Sequence, residues 1–290
     1  MVEDAPRLPE WLRKPRTHFV SVDALKRGLR RLQLHTVCES ARCPNLHECF
    51  HRGTAAFLIL GNLCTRGCGF CSVPKGAPQT LPDPSEPGNV ARMAAGMLLR
   101  HVVITSVSRD DLEDRGAGHF AQTVREVRAA VPQARIEVLT PDFCGDRQAV
   151  ARVLGAGPDV FNHNLETVAR LYPRVRPQAD YCRSLEVLHF ARQRRPDVLT
   201  KSGLMAGLGE APQEVEKALR DLCAAGVEVV TIGQYLQPAR RNLPVAAYIR
   251  PEQFEAYRAY GLSIGFKMVS SGPLVRSSYL AEAVWGQAVS

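Results

Sequence analysis

No stretch of this chain approaches the roughly 18 consecutive apolar residues of a membrane span. The opening residues, MVEDAPRLPEWLRK, bring acidic residues and prolines early and lack an apolar core, so they read as neither a secretory signal nor a transit peptide. Also missing are a solenoid-type repeat, a low-complexity tract and an aromatic-interleaved RNA-recognition motif. These absences lead us to expect a cytoplasmic protein with no membrane partner. Nucleic acid becomes the weaker explanation of the +8 net charge, whose basic residues form only short, distant clusters at 27–31, 192–195 and 240–241. An acidic protein partner fits that charge as well. The length of 290 residues and the 45% hydrophobic content suit one barrel-sized α/β domain with extensions, or two small domains.

What the chain does have is cysteine, in an unusual arrangement. Six of its nine cysteines lie within residues 38–71, as Cys38, Cys43 and Cys49 (C-x4-C-x5-C) and Cys64, Cys68 and Cys71 (C-x3-C-x2-C). An odd total, tight spacings and no secretory segment argue against disulfides. Three thiolates on one loop suit a cubic iron–sulfur cluster in which one iron is left without a cysteine and is open for chemistry. Structural zinc is the competing reading. For the first triplet His47 and His51 stand close enough in sequence to complete a Cys3His set. The second triplet, with Phe70 before its last cysteine, resembles the signature of the radical S-adenosylmethionine (SAM) enzymes. Cys144, Cys182 and Cys223 are isolated and read as small buried hydrophobes.

Residues 1–50 are mixed, with a helix expected over 22–34 from Leu25, Leu29 and Leu32 at helical spacing. From residue 55 apolar, β-branched runs at 55–60, 101–106, 135–140, 160–165, 199–205 and 229–236 alternate with helical patterns near 87–100, 118–130, 146–155, 179–195 and 212–225. A last helix is expected at 251–260. Six such units predict an α/β fold, a partial (β/α)6 TIM-like barrel, open on one side and working at its strand ends. Those ends carry Thr105-Ser106, Asn162-His163-Asn164-Leu165-Glu166, Thr200-Lys201-Ser202-Gly203 and Gly233-Gln234-Tyr235. Polar groups buried there without partners would cost about 1–3 kcal/mol each, so together they read as a pocket for a polar cofactor. Glu166 and Asn164 suit ribose hydroxyls, Ser106 the amino or carboxyl group of a methionine moiety, and Arg176 its carboxylate. His163 reads as a hydrogen-bonded structural residue. The segment at residues 9–13, PEWLR, reads as either a docking element or simple packing.

Over nearly its whole length the chain resembles the lipoyl synthase family. The resemblance rests on CESARCPNLHECF (38–50), FLILGNLCTRGCGFCSV (57–73), VVITSVSRDDL (102–112), IEVLTPDF (136–143), FNHNLETV (161–168), TKSGLMAGLGE (200–210), TIGQYLQP (231–238) and GPLVRSSY (272–279). It departs from the family's usual pattern at Ser108, at 241–242 and at Leu280. The resemblance implies a radical SAM barrel at 53–262, an N-terminal extension (1–52) with auxiliary-cluster cysteines, and a C-terminal extension (263–290) with an RSSY serine. It implies that Cys64, Cys68 and Cys71 hold the [4Fe-4S] cluster that binds SAM. A second [4Fe-4S] cluster would sit on Cys38, Cys43 and Cys49, with Ser278 ahead of Ser277 as its fourth ligand. The implied activity is that of a sulfurtransferase inserting sulfur at C6 and C8 of a protein-bound octanoyl-lysine. The implied partners are octanoylated lipoyl-carrier domains (2-oxoacid dehydrogenase E2 subunits, glycine cleavage H protein), an electron donor such as ferredoxin or flavodoxin, and an iron–sulfur carrier. A biotin-synthase-type or RNA-methylthiolating enzyme would not predict the first triplet or the serine. A two-cluster electron carrier would need neither the barrel nor the polar strand ends.

Overall fold

A computed structural model describes residues 8–13, 23–41, 43–51, 54–279 and 281. Eight strands form one sheet in sequence order: β1 (His35–Thr36), β2 (Thr54–Ile59), β3 (His101–Ser106), β4 (Arg135–Leu139), β5 (Val160–Asn162), β6 (Leu199–Ala206), β7 (Val229–Gln234) and β8 (Met268–Gly272). β1 pairs antiparallel with β2, and every later pairing is parallel. β1 and β8 are not paired to each other, so the barrel is partial and has a gap. The helices are α1 (Asp23–Arg31), α2 (Val37–Ser40), α3 (Leu46–His51), α4 (Glu86–Gly96), α5 (Ala117–Ala130), α6 (Arg147–Gly155), α7 (Tyr172–Val175), α8 (Tyr181–Arg194), α9 (Pro212–Ala224) and α10 (Pro251–Ser263). Among the described residues no helix is long and apolar enough to cross a membrane.

The expected strand-and-helix alternation is present, with two corrections. A further parallel strand, β8, lies beyond the six expected ones, and β5 stops at Asn162 rather than 165. The cause of the second is local. His163, Asn164 and Leu165 leave the ladder, and Glu166, at φ 70°, rejoins β6 as a single bridge to Leu204. Helix starts follow sequence chemistry: Asp146 caps α6 by accepting from Gln148 and Ala149, and Asp180 caps α8 by accepting from Arg183.

The parallel register sorts the strand residues into two faces. On the outer face Phe57, Ile104, Ile136 and Phe161 are fully buried beneath the helices, with Phe120 of α5 meeting Phe143 edge to face at 6.1 Å. Burying each such ring stabilises by about 1.5–3 kcal/mol. The inner face carries Val160, Leu199 and Val229 at one level. The same face carries Glu137, Asn162 and Lys201, joined by hydrogen bonds, with Gly203 and Gly233 further along their strands. Ala56 and Val103 of the inner face pack against Ala281 and against Cys38, so both extensions enter the barrel interior. The segment at 9–13 packs on its own chain: Leu12 is buried and the Trp11 indole donates to the Ile249 carbonyl at 3.2 Å. A groove of about 770 Å³ between α1 and α4 is lined by none of the cysteines.

Candidate functional site

The second cysteine triplet leaves the sheet where β2 ends. Leu60 takes φ 67°, and its amide is held at 2.8 Å by the buried carboxylate of Glu86, which also meets His119 at 2.7 Å. The loop is then fixed from several sides. Cys64 closes a small bridge, its amide on Pro74 and its carbonyl taking the Gly76 amide, both at 2.9 Å. The buried Arg66 guanidinium reaches Asp110 at 2.7 Å and Asp142 at 2.6 Å. Asn242 donates to the Gly69 and Cys71 carbonyls at 3.1 and 2.9 Å, and Lys75 to the Cys68 carbonyl at 2.8 Å. The Ser108 amide donates to the Cys64 sulfur at 3.3 Å. Residues 108 and 242, where the chain departs from the family pattern, therefore still hold this loop, Ser108 through its backbone. Leu280 lies outside the described residues.

The first triplet lies alongside. The Ser72 hydroxyl, next to Cys71, donates to the Ser40 carbonyl and so ties the two loops together. Cys38 feels both Cys43 and Cys49. Burial, reinforced by those two thiols, pushes Cys38 far up, and burial likewise pushes Cys71 up to about 11, with Cys68 and Cys64 adding to it. Cys68 is raised by the same burial. Thiols held protonated in this way are stabilised as thiolates by a cationic centre, which would displace the protons on binding. Among the described residues no three His, Cys, Asp or Glu side chains are grouped to hold a single metal ion. The donor set fits a cluster better than a lone ion.

The C-terminal segment closes over the first triplet. Asn45 donates to the Leu274 carbonyl at 2.7 Å, and the Tyr279 hydroxyl meets the Glu48 carboxylate at 3.1 Å. Arg276 is near enough to Cys43 to feel its charge. Gly233 permits this path, since a Cβ there would lie 2.1 Å from the Val275 carbonyl oxygen. Ser277 accepts from the Asn162 amide at 2.9 Å and donates to Asn164 at 3.1 Å. Ser278 stands between Ser277 and Tyr279, the first held by the barrel and the second by α3.

The residues expected to contact SAM are only partly brought together. Asn164 donates to Glu166 at 3.0 Å. Burial raises Glu166, while Arg176 and Asn164 oppose it. Arg176 is buried, with Nη1 on the Asn164 carbonyl (2.9 Å) and the Tyr172 hydroxyl (3.2 Å), and with Nε unpartnered. Ser106 shares the register of the helix-covered face, and its hydroxyl is buried without a partner. His163 is structural through Nδ1 on the Thr140 carbonyl at 2.8 Å, while Nε2 is left unpartnered. Such orphaned polar atoms are uncommon in folded proteins, and these fit a polar ligand such as SAM. Two cysteine readings need correction: Cys144 and Cys182 are exposed rather than buried, because Cys144 sits in a left-handed turn (φ 54°) and Cys182 on the outward face of α8. Cys223 is half-buried. Sequence reasoning missed Glu137, which buries its carboxylate against Lys201 (2.9 Å), Asn162 (2.8 Å) and His101 (3.3 Å). The signal was a glutamate inside the apolar run IEVLT.

The sequence matches the Radical SAM superfamily over residues 58–222 and the N-terminal domain of lipoyl synthase of the radical SAM family over residues 2–43. It is 55% identical to the lipoyl synthase of Rubrobacter xylanophilus, over 94% of this chain and 85% of that protein. It is 52% identical to that of Thermus thermophilus, over 97% and 87%. In fold it is similar to methylornithine synthase (TM-score 0.53, 15% identity, 87% of this chain and 82% of that one) and to the FeFe-hydrogenase maturase HydG of Carboxydothermus hydrogenoformans (0.57, 14%, 79% and 64%). With both family matches, full-length relatives above 50% identity and the barrel in place, the chain belongs to the lipoyl synthase family of radical SAM proteins.

Proposed function

We propose that the chain inserts two sulfur atoms, at C6 and C8, into an octanoyl group amide-linked to a lysine of a lipoyl-carrier domain. Radical SAM membership carries with it a [4Fe-4S] cluster and SAM. In this reading Cys64, Cys68 and Cys71 hold that cluster, and Cys38, Cys43, Cys49 and Ser278 hold an auxiliary one. Bound there, SAM and its cluster supply a radical able to take hydrogen from unactivated carbon, and the auxiliary cluster supplies sulfur. Asn164 and Glu166 orient the ribose of SAM, and Ser106 and Arg176 its methionyl end, the last two supported by the unpartnered buried Ser106 hydroxyl and Arg176 Nε. Ser278 rather than Ser277 serves the cluster, because the Ser277 hydroxyl is already engaged by Asn162 and Asn164. Its oxygen is a harder donor to iron than a thiolate, so that corner opens more readily. Zinc at the first triplet is disfavoured because His47 and His51 are exposed while Cys49 is buried. Functionally the chain divides into 1–52, 53–262 and 263–290, and its positive charge steers acidic carriers such as E2 subunits or H protein. Ferredoxin or flavodoxin delivers the electron, and an iron–sulfur carrier restores the consumed cluster.

The observation that carries this reading is the docking of 274–279 on the first cysteine loop, itself tied to the second. It supports a reading in which the serine and the two cysteine trios serve one site, with the acyl chain held between the two loops away from water. The test is anaerobic: the iron- and sulfide-reconstituted protein with SAM, a strong reductant and an octanoyl-lysyl peptide. Peptide gaining two sulfurs alongside 5′-deoxyadenosine is expected. Deoxyadenosine with an unchanged peptide would overturn the substrate, and neither product would overturn the enzyme reading altogether.

A further inference from the structure

A single hydrogen-bonded line runs from the barrel floor to the C-terminal segment. Glu137 is held ionised, at about 2: burial alone would raise it, and Lys201 and His101 reverse that. An ionised carboxylate only accepts, so the Asn162 amide must present its donor side to it, at 2.8 Å. The other N–H of that amide points to Ser277, at 2.9 Å. The Ser277 hydroxyl, already accepting, directs its own proton to the Asn164 carbonyl oxygen at 3.1 Å. Asn164 is then fixed with its amide toward Glu166 at 3.0 Å. Every group in the line has one permitted orientation, set from the buried Lys201–Glu137 pair upward. We propose that Ser277 is a positioning residue, a latch that seats 274–279 against the first cysteine loop. The Glu137–Asn162 pair sets the latch, and the Asn164–Glu166 pair connects it to the pocket. The inference rests on the proposed role of Ser278 only in naming what the latch serves; the latch itself stands on these contacts.

The segment carries its own reporter, because Arg276 is a tryptic site that is partly buried while the segment is seated. The test uses full-length, cluster-loaded protein in four forms: wild type, S278A, S277A/S278A and S277T/S278A. Removing Ser278 first prevents any iron bond from masking the latch. Hydrogen exchange of 272–279 and tryptic cleavage after Arg276 are expected to quicken about tenfold between S278A and S277A/S278A, the loss of one buried hydrogen-bonded pair. S277T/S278A, which keeps the hydroxyl, should match S278A. Equal rates in S278A and S277A/S278A would overturn the latch, as would a threonine variant as fast as the alanine one. The ligand role of Ser278 is read separately, from the auxiliary-cluster spectrum of S278A against wild type. An unchanged spectrum removes that role, while the latch still stands or falls on the exchange rates.

Discussion

Replacing Lys201 by methionine keeps most of the side-chain volume and removes its charge, which isolates the ion pair in the barrel floor. The Lys201 and Glu137 side chains are 2% and 1% exposed, and the ammonium lies 2.9 and 3.0 Å from the two carboxylate oxygens. Without it Glu137 keeps Asn162 and His101, yet the largest influence on its carboxyl is burial, which favours the neutral form. Breaking a buried pair from one side costs about 3–5 kcal/mol, whereas removing both charges is near neutral. K201M should therefore lose about 3–5 kcal/mol, and K201M/E137Q should regain most of it, a coupling of about 2–3 kcal/mol. Urea unfolding followed by circular dichroism, with the midpoint shifting at constant slope, measures both. The same pair sets an acid dependence: the folded-state value for Glu137 is depressed from 4.5 to about 2, so its contribution is complete above pH 4.5 and is lost as pH falls toward 2. A loss below about 1 kcal/mol in K201M, or a double variant as unstable as the single, would refute the reasoning.

Three further outcomes follow from particular contacts. His163, pushed down from 6.5 to about 4 by burial and by Arg176, takes its proton in the unfolded chain first. Stability is then full above pH 6.5 and declines toward pH 4 by about 3 kcal/mol; H163N, which keeps the bond to Thr140, should flatten that slope in urea titrations. N242L leaves the Gly69 and Cys71 carbonyls without their donor, at about 1–3 kcal/mol. Chelator should strip iron from the second loop about tenfold faster, and identical stripping rates would count against the contact. G233A puts a methyl group on the Val275 carbonyl; it should lift the C-terminal segment and expose Arg276 to trypsin, whereas unchanged resistance would place the tail elsewhere.

The sheet was legible because a parallel strand buried on both faces leaves a continuous apolar run, as in AAFLIL or HVVITS. β8 escaped because its sequence, MVSSG, is short and mostly half-buried, with two serines where a core strand would carry aliphatics. The overrun of β5 came from reading polarity as a strand end, when the chain had already left the ladder for a left-handed Glu166 that no local propensity favours. Both cysteine triplets were visible as spacings. The docking of the C-terminal segment on the first of them was not, since the Asn45–Leu274 and Glu48–Tyr279 contacts join residues more than 200 positions apart. Glu137 was missed although it is a charge in an apolar strand, because its partners Asn162 and Lys201 come from neighbouring strands far along the chain.

The central claim is that a cluster held by the first cysteine loop, closed by the C-terminal segment, would be the source of the inserted sulfur. It is tested most directly by rebuilding the protein with sulfur-34 sulfide, removing all free sulfide, and allowing one turnover on an octanoyl-lysyl peptide. Both inserted atoms are expected to be sulfur-34, and a C43S variant, still loaded at the second loop, is expected to insert none. Product carrying sulfur of natural abundance, or full insertion by C43S, would contradict it.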